Sequence, residues 1–379
     1  MNTVAPWQPS GYGQQARQIL PLMVREGHET FCICCQGLSG GALEWQGVTC
    51  LPPLEDLNGN DAILAHGALH RPDVLFTFQN IWTLERPVLE QCAARGLRWI
   101  PMMPVDHEPA PPRILERLPL AYEIITYCPF GQRELARHGF SSRIIPHTVD
   151  TEIFRPGDRG AFRQVLGIPE EAFLFGMVGV NDAESPRKGF QKVLDAFAAF
   201  RRRHPEGALY LHTFFDIEHG FRIEEYCRHL GIRDAVYTLD DYAKLFLVDW
   251  EAMAAIYASF DWFLIPSANE GFCIPIIEAL ACGVPVITTE FTAMRDLVAD
   301  GETGIKIRPR HFRCSGLGSR IAEILPDEIE RAMERAWRSD GAAMGAAGRR
   351  FVEAGFDRRG VWERHWRPYL DELSSRLGE

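Results

Sequence analysis

The chain has 379 residues, 46% hydrophobic and 24% charged, proportions that suit a soluble globular protein with room for two domains. Its 40 Lys and Arg face 51 Asp and Glu, a net charge of −11 that argues against a nucleic-acid-coating function but leaves room for a local basic pocket. The start, Met1 to Trp7, lacks the basic region and long apolar core of a signal peptide, and no apolar run is long enough to span a bilayer.

In chain order, Thr3-Val4-Ala5 reads as a very short first strand, followed by a glycine loop, Pro9 to Gly13, and a helix from Gln14 to Arg25 that Pro21 kinks. Gly11 and Gly13 would let backbone approach a phosphate, or simply make a tight turn. Ala16 breaks the full dinucleotide fingerprint, which disfavours a nicotinamide oxidoreductase. Strand-like segments recur at Phe31–Cys35, Val48–Leu51, Val74–Phe78, Trp99–Met103, Ile124–Tyr127 and Arg143–Ile145. Helical stretches at Asp61–Leu69, Pro87–Arg95 and Pro129–His138 separate several of them.

Cys32 and Cys35 have C-x-x-C spacing inside the first of these strands, whereas a redox pair places its second cysteine at a helix start. The ten scattered cysteines therefore read as reduced, buried thiols, which points to the cytoplasm. Two polar points stand where strands end: Asn80, and the pair Asp106-His107. His107 there is either a donor to a sugar hydroxyl or a solvated loop side chain.

Ile144 to Gly157 has turn residues and little periodicity, and reads as a domain linker. A buried strand, Phe173–Val180, a polar loop, Asn181–Gly189, and a helix, Gln191–Arg203, follow. Arg187 and Lys188 are adjacent cations immediately before that helix, placed either for a diphosphate or as a solvated basic pair. Further strands are expected at Ala208–Phe214, Val236–Leu239, Trp262–Pro266, Val284–Thr288 and Ile305–Ile307. Helices are expected at Ile223–Leu230, Trp250–Phe260, from Pro275 to Gly283, and at Ala293–Val298. Arg331–Phe351 reads as one covering helix, and Val361–Leu377 as a last helix whose Trp362, Trp366, Tyr369 and Leu370 pack inward. The alternation describes an α/β protein built from two consecutive doubly wound domains.

The most informative stretch is Ser267 to Glu278. Glu270 lies in the loop and Glu278 in the first turns of the helix. Both carboxylates can face one pocket as acceptors for the hydroxyls of a sugar or ribose, and the helix start between them suits a diphosphate. The plainer alternative is a solvated loop charge and a first-turn dipole partner.

Taken together, Gly11-Tyr12-Gly13 with Gly27-His28-Glu29, Ile145 to Asp150, Val178-Gly179, Arg187-Lys188-Gly189, and the Glu270 to Pro285 block resemble the retaining, nucleotide-sugar-dependent glycosyltransferases of family four, over nearly the whole chain. That resemblance implies a GT-B fold, two Rossmann-like domains facing across a cleft. Residues 1–150 would form an acceptor-side domain, 151–360 the donor domain, and 361–379 a helix packing back on the first.

It further implies catalytic Glu270, Lys188 and His107, and donor binding by Gly11, Gly13, Arg187, Lys188, Gly271, Phe272, Cys273 and Glu278. Asn80 and Asp106 would stand on the acceptor side. The donor would be a GDP- or UDP-sugar of mannose or glucose type and the acceptor a hydroxyl compound, with no cofactor and no metal. A nucleotide-sugar epimerase or a non-catalytic sugar-nucleotide binding protein of the same architecture is the alternative. Two departures stand out. Cys273 occupies a position where the family usually has glycine, and the arginine usual near Val180-Asn181 is missing, so Arg187 is expected to supply that charge. The sequence sets neither the base, the acceptor nor the oligomeric state.

Overall fold

The architecture follows from short apolar strands alternating with helices, which in the computed structural model, describing residues 1–182, 186–218 and 220–378, build two parallel sheets. Residues 183–185 of the polar loop expected at Asn181–Gly189 lie outside the described residues. The chain divides into two units. Unit 1 comprises Met1–Thr148, Gly316–Ser319 and Arg358–Glu379, and unit 2 comprises Val149–Ser315 and Arg320–Asp357.

The sheet of unit 1 has eight strands: β1 (Asn2–Thr3), β2 (Phe31–Cys34), β3 (Leu43–Trp45), β4 (Val48–Leu51), β5 (Val74–Phe78), β6 (Arg98–Met102), β7 (Ile125–Thr126) and β8 (Arg143–Ile144). Their order is β3-β4-β2-β1-β5-β6-β7-β8, parallel throughout except for β3, which runs antiparallel to β4. The first strand lies one residue earlier than its apolar residues suggest. Buried Thr3 donates to Phe78 O at 2.8 Å and Asn2 Nδ2 to Asn58 O at 3.0 Å, so donors of both polar side chains are paired at the sheet centre.

The first helix is Gly11–Arg25, not Gln14–Arg25: Ser10 caps it, its hydroxyl accepting from Gly13 N at 3.1 Å. The expected glycine loop is thus a helical turn. A β-carbon on Gly13 would lie 2.5 Å from Gln8 O and 2.8 Å from Ala5 O, so the crowded backbone accounts for this glycine.

The C-terminal residues of unit 1 run as a helix through Arg358–Val361, a π-helical turn Trp362–Trp366 and Arg367–Gly378. Trp366 and Tyr369 meet Phe76 edge-on at 6.1 and 6.5 Å, and Arg376 pairs with Glu123 at 2.6 Å. The aromatics are therefore core.

Unit 2 carries β9 (Phe173–Val178), β10 (Gly207–His212), β11 (Val236–Tyr237), β12 (Trp262–Ile265), β13 (Val286–Thr289) and β14 (Gly304–Ile307) in the order β11-β10-β9-β12-β13-β14. All pairs are parallel, with Gly176 on β9 opposite Phe263 on β12. The Phe260 ring fills the space over Gly176, where any β-carbon would lie 2.1 Å from it. Phe175, Phe197, Phe200 and Phe263 are fully buried, each contributing about 1.5–3 kcal/mol.

Two elements depart from expectation. The run Arg331–Phe351 is two helices, Pro326–Trp337 and Gly341–Gly355, because Asp340 caps a new start by accepting from Ala343 N at 3.0 Å. An unexpected antiparallel ribbon, β15 (His311–Cys314) with β16 (Arg320–Glu323), follows β14.

Candidate functional site

The strand order of unit 2 reverses at β9: the chain moves outward to β10 and β11, then returns to place β12 on the other side. Ligands of open α/β sheets bind beyond the carboxyl ends of strands at such a point. The loops leaving β9 and β12 carry Arg187-Lys188 and Glu270.

These three side chains meet. Glu270 Oε1 lies 2.6 Å from Arg187 Nη1 and 2.6 Å from Lys188 Nζ. The backbone ties the loops together as well, with Ala268 N donating to Arg187 O at 2.7 Å and Arg187 Nη1 to Asn269 O at 3.3 Å. Glu270 is buried, which pushes its carboxyl up, but Lys188 and then Arg187 outweigh that and hold it below the ordinary carboxylate range. The Lys188 side chain is 13% exposed and that of Arg187 39%, so the arginine forms the solvent side of the cluster.

The backbone around Glu270 is unusually shaped. Its N–H donates to Thr292 Oγ1 at 3.0 Å, and its carbonyl accepts from Ala293 N at 3.3 Å. Thr292 is fully buried with φ of +45°, a left-handed conformation that β-branched residues rarely adopt. Cys273, which caps the helix Ile274–Ala281, has φ +83° and ψ +69°. A glycine would adopt that conformation without cost; the cysteine holds it at about 1–2 kcal/mol. Its thiol is buried and pushed up to about 12, first by that burial and then by the Glu270 charge, so it is not a nucleophile at neutral pH. Gly271 and Phe272 lie between the two, with the Phe272 ring edge-on to Phe356 at 5.8 Å.

Glu278 is buried in the same helix and accepts from the Tyr257 hydroxyl at 2.8 Å on Oε2. Burial raises its carboxyl to about 7, against the lowering effect of the Tyr257 bond. The two glutamates therefore differ: one is clamped as an anion, the other titrates near neutrality. Neither is a solvated surface charge.

The remaining candidates belong to unit 1. Asp106 Oδ1 lies 2.5 Å from His107 Nδ1, and the Trp82 ring stands edge-on to the buried imidazole at 6.3 Å. Asn80 Oδ1 accepts from the Tyr12 hydroxyl at 3.0 Å, tying it to the helical turn that holds Gly11 and Gly13.

Tyr257, Thr292 and Tyr12 were not legible as site residues. Tyr257 sits in a mostly apolar helix, Trp250–Ala258, and Thr292 reveals itself only through its backbone angle. Asn181, where the expected arginine is missing, is structural: its Nδ2 donates to Phe214 O at 3.1 Å and Phe221 O at 2.7 Å, and its Oδ1 accepts from Phe221 N at 3.0 Å.

The family model described as Glycosyl transferases group 1 matches residues 158–341, the segment that contains the whole Arg187, Lys188, Glu270 and Glu278 constellation. This segment is similar to the group 1 glycosyl transferases.

Among similar proteins, the D-inositol 3-phosphate glycosyltransferase of Stackebrandtia nassauensis is 31% identical over 172 residues, covering 44% of this chain and 37% of that protein. The chain thus matches under half the length of that relative. Sucrose-phosphate synthase from Thermosynechococcus elongatus has the same fold at 21% identity, with a TM-score of 0.74 over 96% of this chain and 94% of its own. Anabaena Alr3699/HepE, solved in complex with UDP and glucose, superposes with a TM-score of 0.71 at 16% identity, covering 99% of this chain and 98% of its own. The α/β fold of two parallel-sheet units is of the GT-B type.

Proposed function

We propose that the protein is a retaining glycosyltransferase that moves a hexosyl unit from a nucleotide diphosphate sugar, GDP- or UDP-linked and of mannose or glucose type, to an acceptor hydroxyl. The observation that carries this reading is the Arg187-Lys188-Glu270 cluster at the strand-order reversal of unit 2, with ionisable Glu278 in the helix beyond it.

In this reading Lys188 and Arg187 move from the Glu270 carboxylate to the donor diphosphate, one as a point charge and the other as a planar fork. Glu270 then accepts from hydroxyls of the donor sugar, with the backbone of Gly271, Phe272 and Cys273 beside it, while ionised Glu278 accepts from the ribose diol. When the bond from C1 to the diphosphate oxygen breaks, its electron pair leaves with the diphosphate, and the fixed cations stabilise that growing charge. The acceptor oxygen bonds C1 from the same face and passes its proton to the departing diphosphate, so configuration is retained. This same-face route needs no carboxylate nucleophile of the kind that retaining glycosidases use, because Glu270 is assigned to the donor hydroxyls.

His107, oriented by Asp106, is assigned to the donor sugar, with the Gly11 to Gly13 turn on the diphosphate and Asn80 and Asp106 toward the acceptor. The charge is carried by protein cations, so the reading calls for no metal.

The proposed compartment is the cytoplasm, in keeping with ten unbridged cysteines, nine of them buried. Among the described residues no helix is long and apolar enough to cross a membrane. The test is a thermal-shift panel of nucleotide diphosphate sugars: a true donor raises the melting temperature and free hexoses do not. No shift with any member of the panel overturns the proposal.

A further inference from the structure

In a chain of net charge −11, residues 308–320 read Arg-Pro-Arg-His-Phe-Arg-Cys-Ser-Gly-Leu-Gly-Ser-Arg, with four arginines, one histidine and no acidic residue. This is the stretch that folds as β15, its turn and the start of β16. Every residue of β15 is exposed, and among the described residues the strand pairs only with β16. Arg310 approaches Glu328 at 3.6 Å with its side chain 72% exposed; among the described residues neither Arg308 nor Arg313 has an ion-pair partner. Arg308 and Arg313 therefore leave unneutralised positive charge at this exposed ribbon of an acidic protein, which suits it to meet an anion.

The ribbon is fastened to the loops of the group 1 site. Ala322 N on β16 donates to Ala268 O at 3.1 Å, two residues before Glu270. Phe312 on β15 packs edge-on against Phe291 at 5.3 Å, one residue before the Thr292 that bonds Glu270 N. The Arg320 guanidinium covers the Phe312 ring at 4.9 Å. Two independent contacts thus fix the ribbon against the loops that carry Glu270 and Thr292.

We propose that this ribbon reads an anionic group, phosphate or carboxylate, on the acceptor, with Arg308 and Arg313 as specificity-determining residues. The inference rests on the glycosyl-transfer reading and adds the class of acceptor. The donor charge is already met by Lys188 and Arg187, so a cationic ribbon is surplus to a neutral sugar acceptor but complementary to a charged one. Exposed arginines act through partly screened contacts, so the preference is modest and salt-sensitive.

The experiment uses the full chain loaded with the nucleotide diphosphate of whichever donor stabilises it. Glucose, glucuronate and glucose 6-phosphate are titrated by calorimetry into wild type and Arg308→Gln/Arg313→Gln, and all are tested as acceptors. The expected result is roughly ten-fold tighter binding of at least one anionic probe than of glucose, a gap that shrinks to under about three-fold in the double variant and in high salt. Phosphate and carboxylate probes separate the two anion chemistries. Equal affinity for charged and neutral probes, or a preference that survives the double variant, overturns the proposal. So does a variant whose only loss is binding to phosphatidylglycerol vesicles, which would assign the ribbon to a membrane surface. Failure of every donor to stabilise the chain is a different result, because it removes the transfer reading itself.

Discussion

Replacing Glu278 by glutamine keeps the shape and the Tyr257 contact of this side chain but removes its proton chemistry. The wild-type carboxyl sits at about 7 in the folded protein against an ordinary 4.5. Between those values the folded protein holds a proton that the unfolded chain has released. The contribution is therefore favourable at the acid end, and stability falls as pH rises through the window. At about 1.4 kcal/mol per pH unit, the whole swing is on the order of 3 kcal/mol. Urea denaturation of wild type and Glu278→Gln at pH 5 and pH 7.5 reads most of it, as a fall of about 2.5 kcal/mol in the wild-type-minus-variant difference. Taking the difference matters because His147 and His212, held by burial at about 3 and about 4, push wild-type stability the opposite way over an overlapping range. The same carboxyl must be ionised to accept from a ribose diol, so donor affinity rises from pH 6 to pH 8 in wild type and stays flat in the variant. A difference constant to within about 0.5 kcal/mol across the pH range refutes the burial argument.

Lys188→Ala lowers turnover about 10²–10³-fold, the scale of a lost charge-stabilising donor, while Arg187 still holds Glu270 and keeps the melting temperature close to wild type; EDTA leaves wild-type turnover unchanged, and unaltered turnover in the variant or EDTA-sensitive activity contradicts the phosphate role. Gly13→Ala destabilises by about 1–3 kcal/mol through overpacking, because its β-carbon meets the carbonyl oxygens of Gln8 and Ala5; denaturant melts that coincide with wild type contradict the crowding. Cys273→Gly gives up about 1 kcal/mol of thiol burial but relieves a left-handed penalty of about 1–2 kcal/mol, so it folds about as well as wild type, whereas Cys273→Val keeps the penalty and adds a β-branch; equal midpoints for the two variants show that the φ of +83° is not a burden.

The unit 2 site was legible because its signals are local. Pro275 inside the first helical turn, Gly283 after the last, and two glutamates at fixed spacing place themselves once β12 is recognised from Trp262-Phe263-Leu264-Ile265. The cation pair before the Phe190–Arg201 helix is equally local. The convergence of Arg187, Lys188 and Glu270 on one oxygen depends on β9 and β12 being neighbours, a long-range pairing that periodicity does not encode. At the other end of the chain, β1 and the start of the first helix were misplaced because buried Asn2 and Thr3 and the Ser10 cap do their work through hydrogen bonds, whereas the sequence reading followed apolarity. The β15–β16 ribbon escaped for a related reason: its exposed strand has no apolar alternation to mark it. Cys273 was conspicuous as a residue in a glycine's place, and its left-handed backbone shows that the chain keeps the glycine conformation while adding a side chain.

The most direct test of glycosyl transfer from unit 2 is a proton NMR time course of the stabilising nucleotide diphosphate sugar with and without acceptor. The expected spectra show nucleotide diphosphate released only when acceptor is present, and a product whose anomeric coupling matches that of the donor. Loss of donor without acceptor, conversion to an epimeric nucleotide sugar, or a product of inverted anomeric configuration would contradict the account.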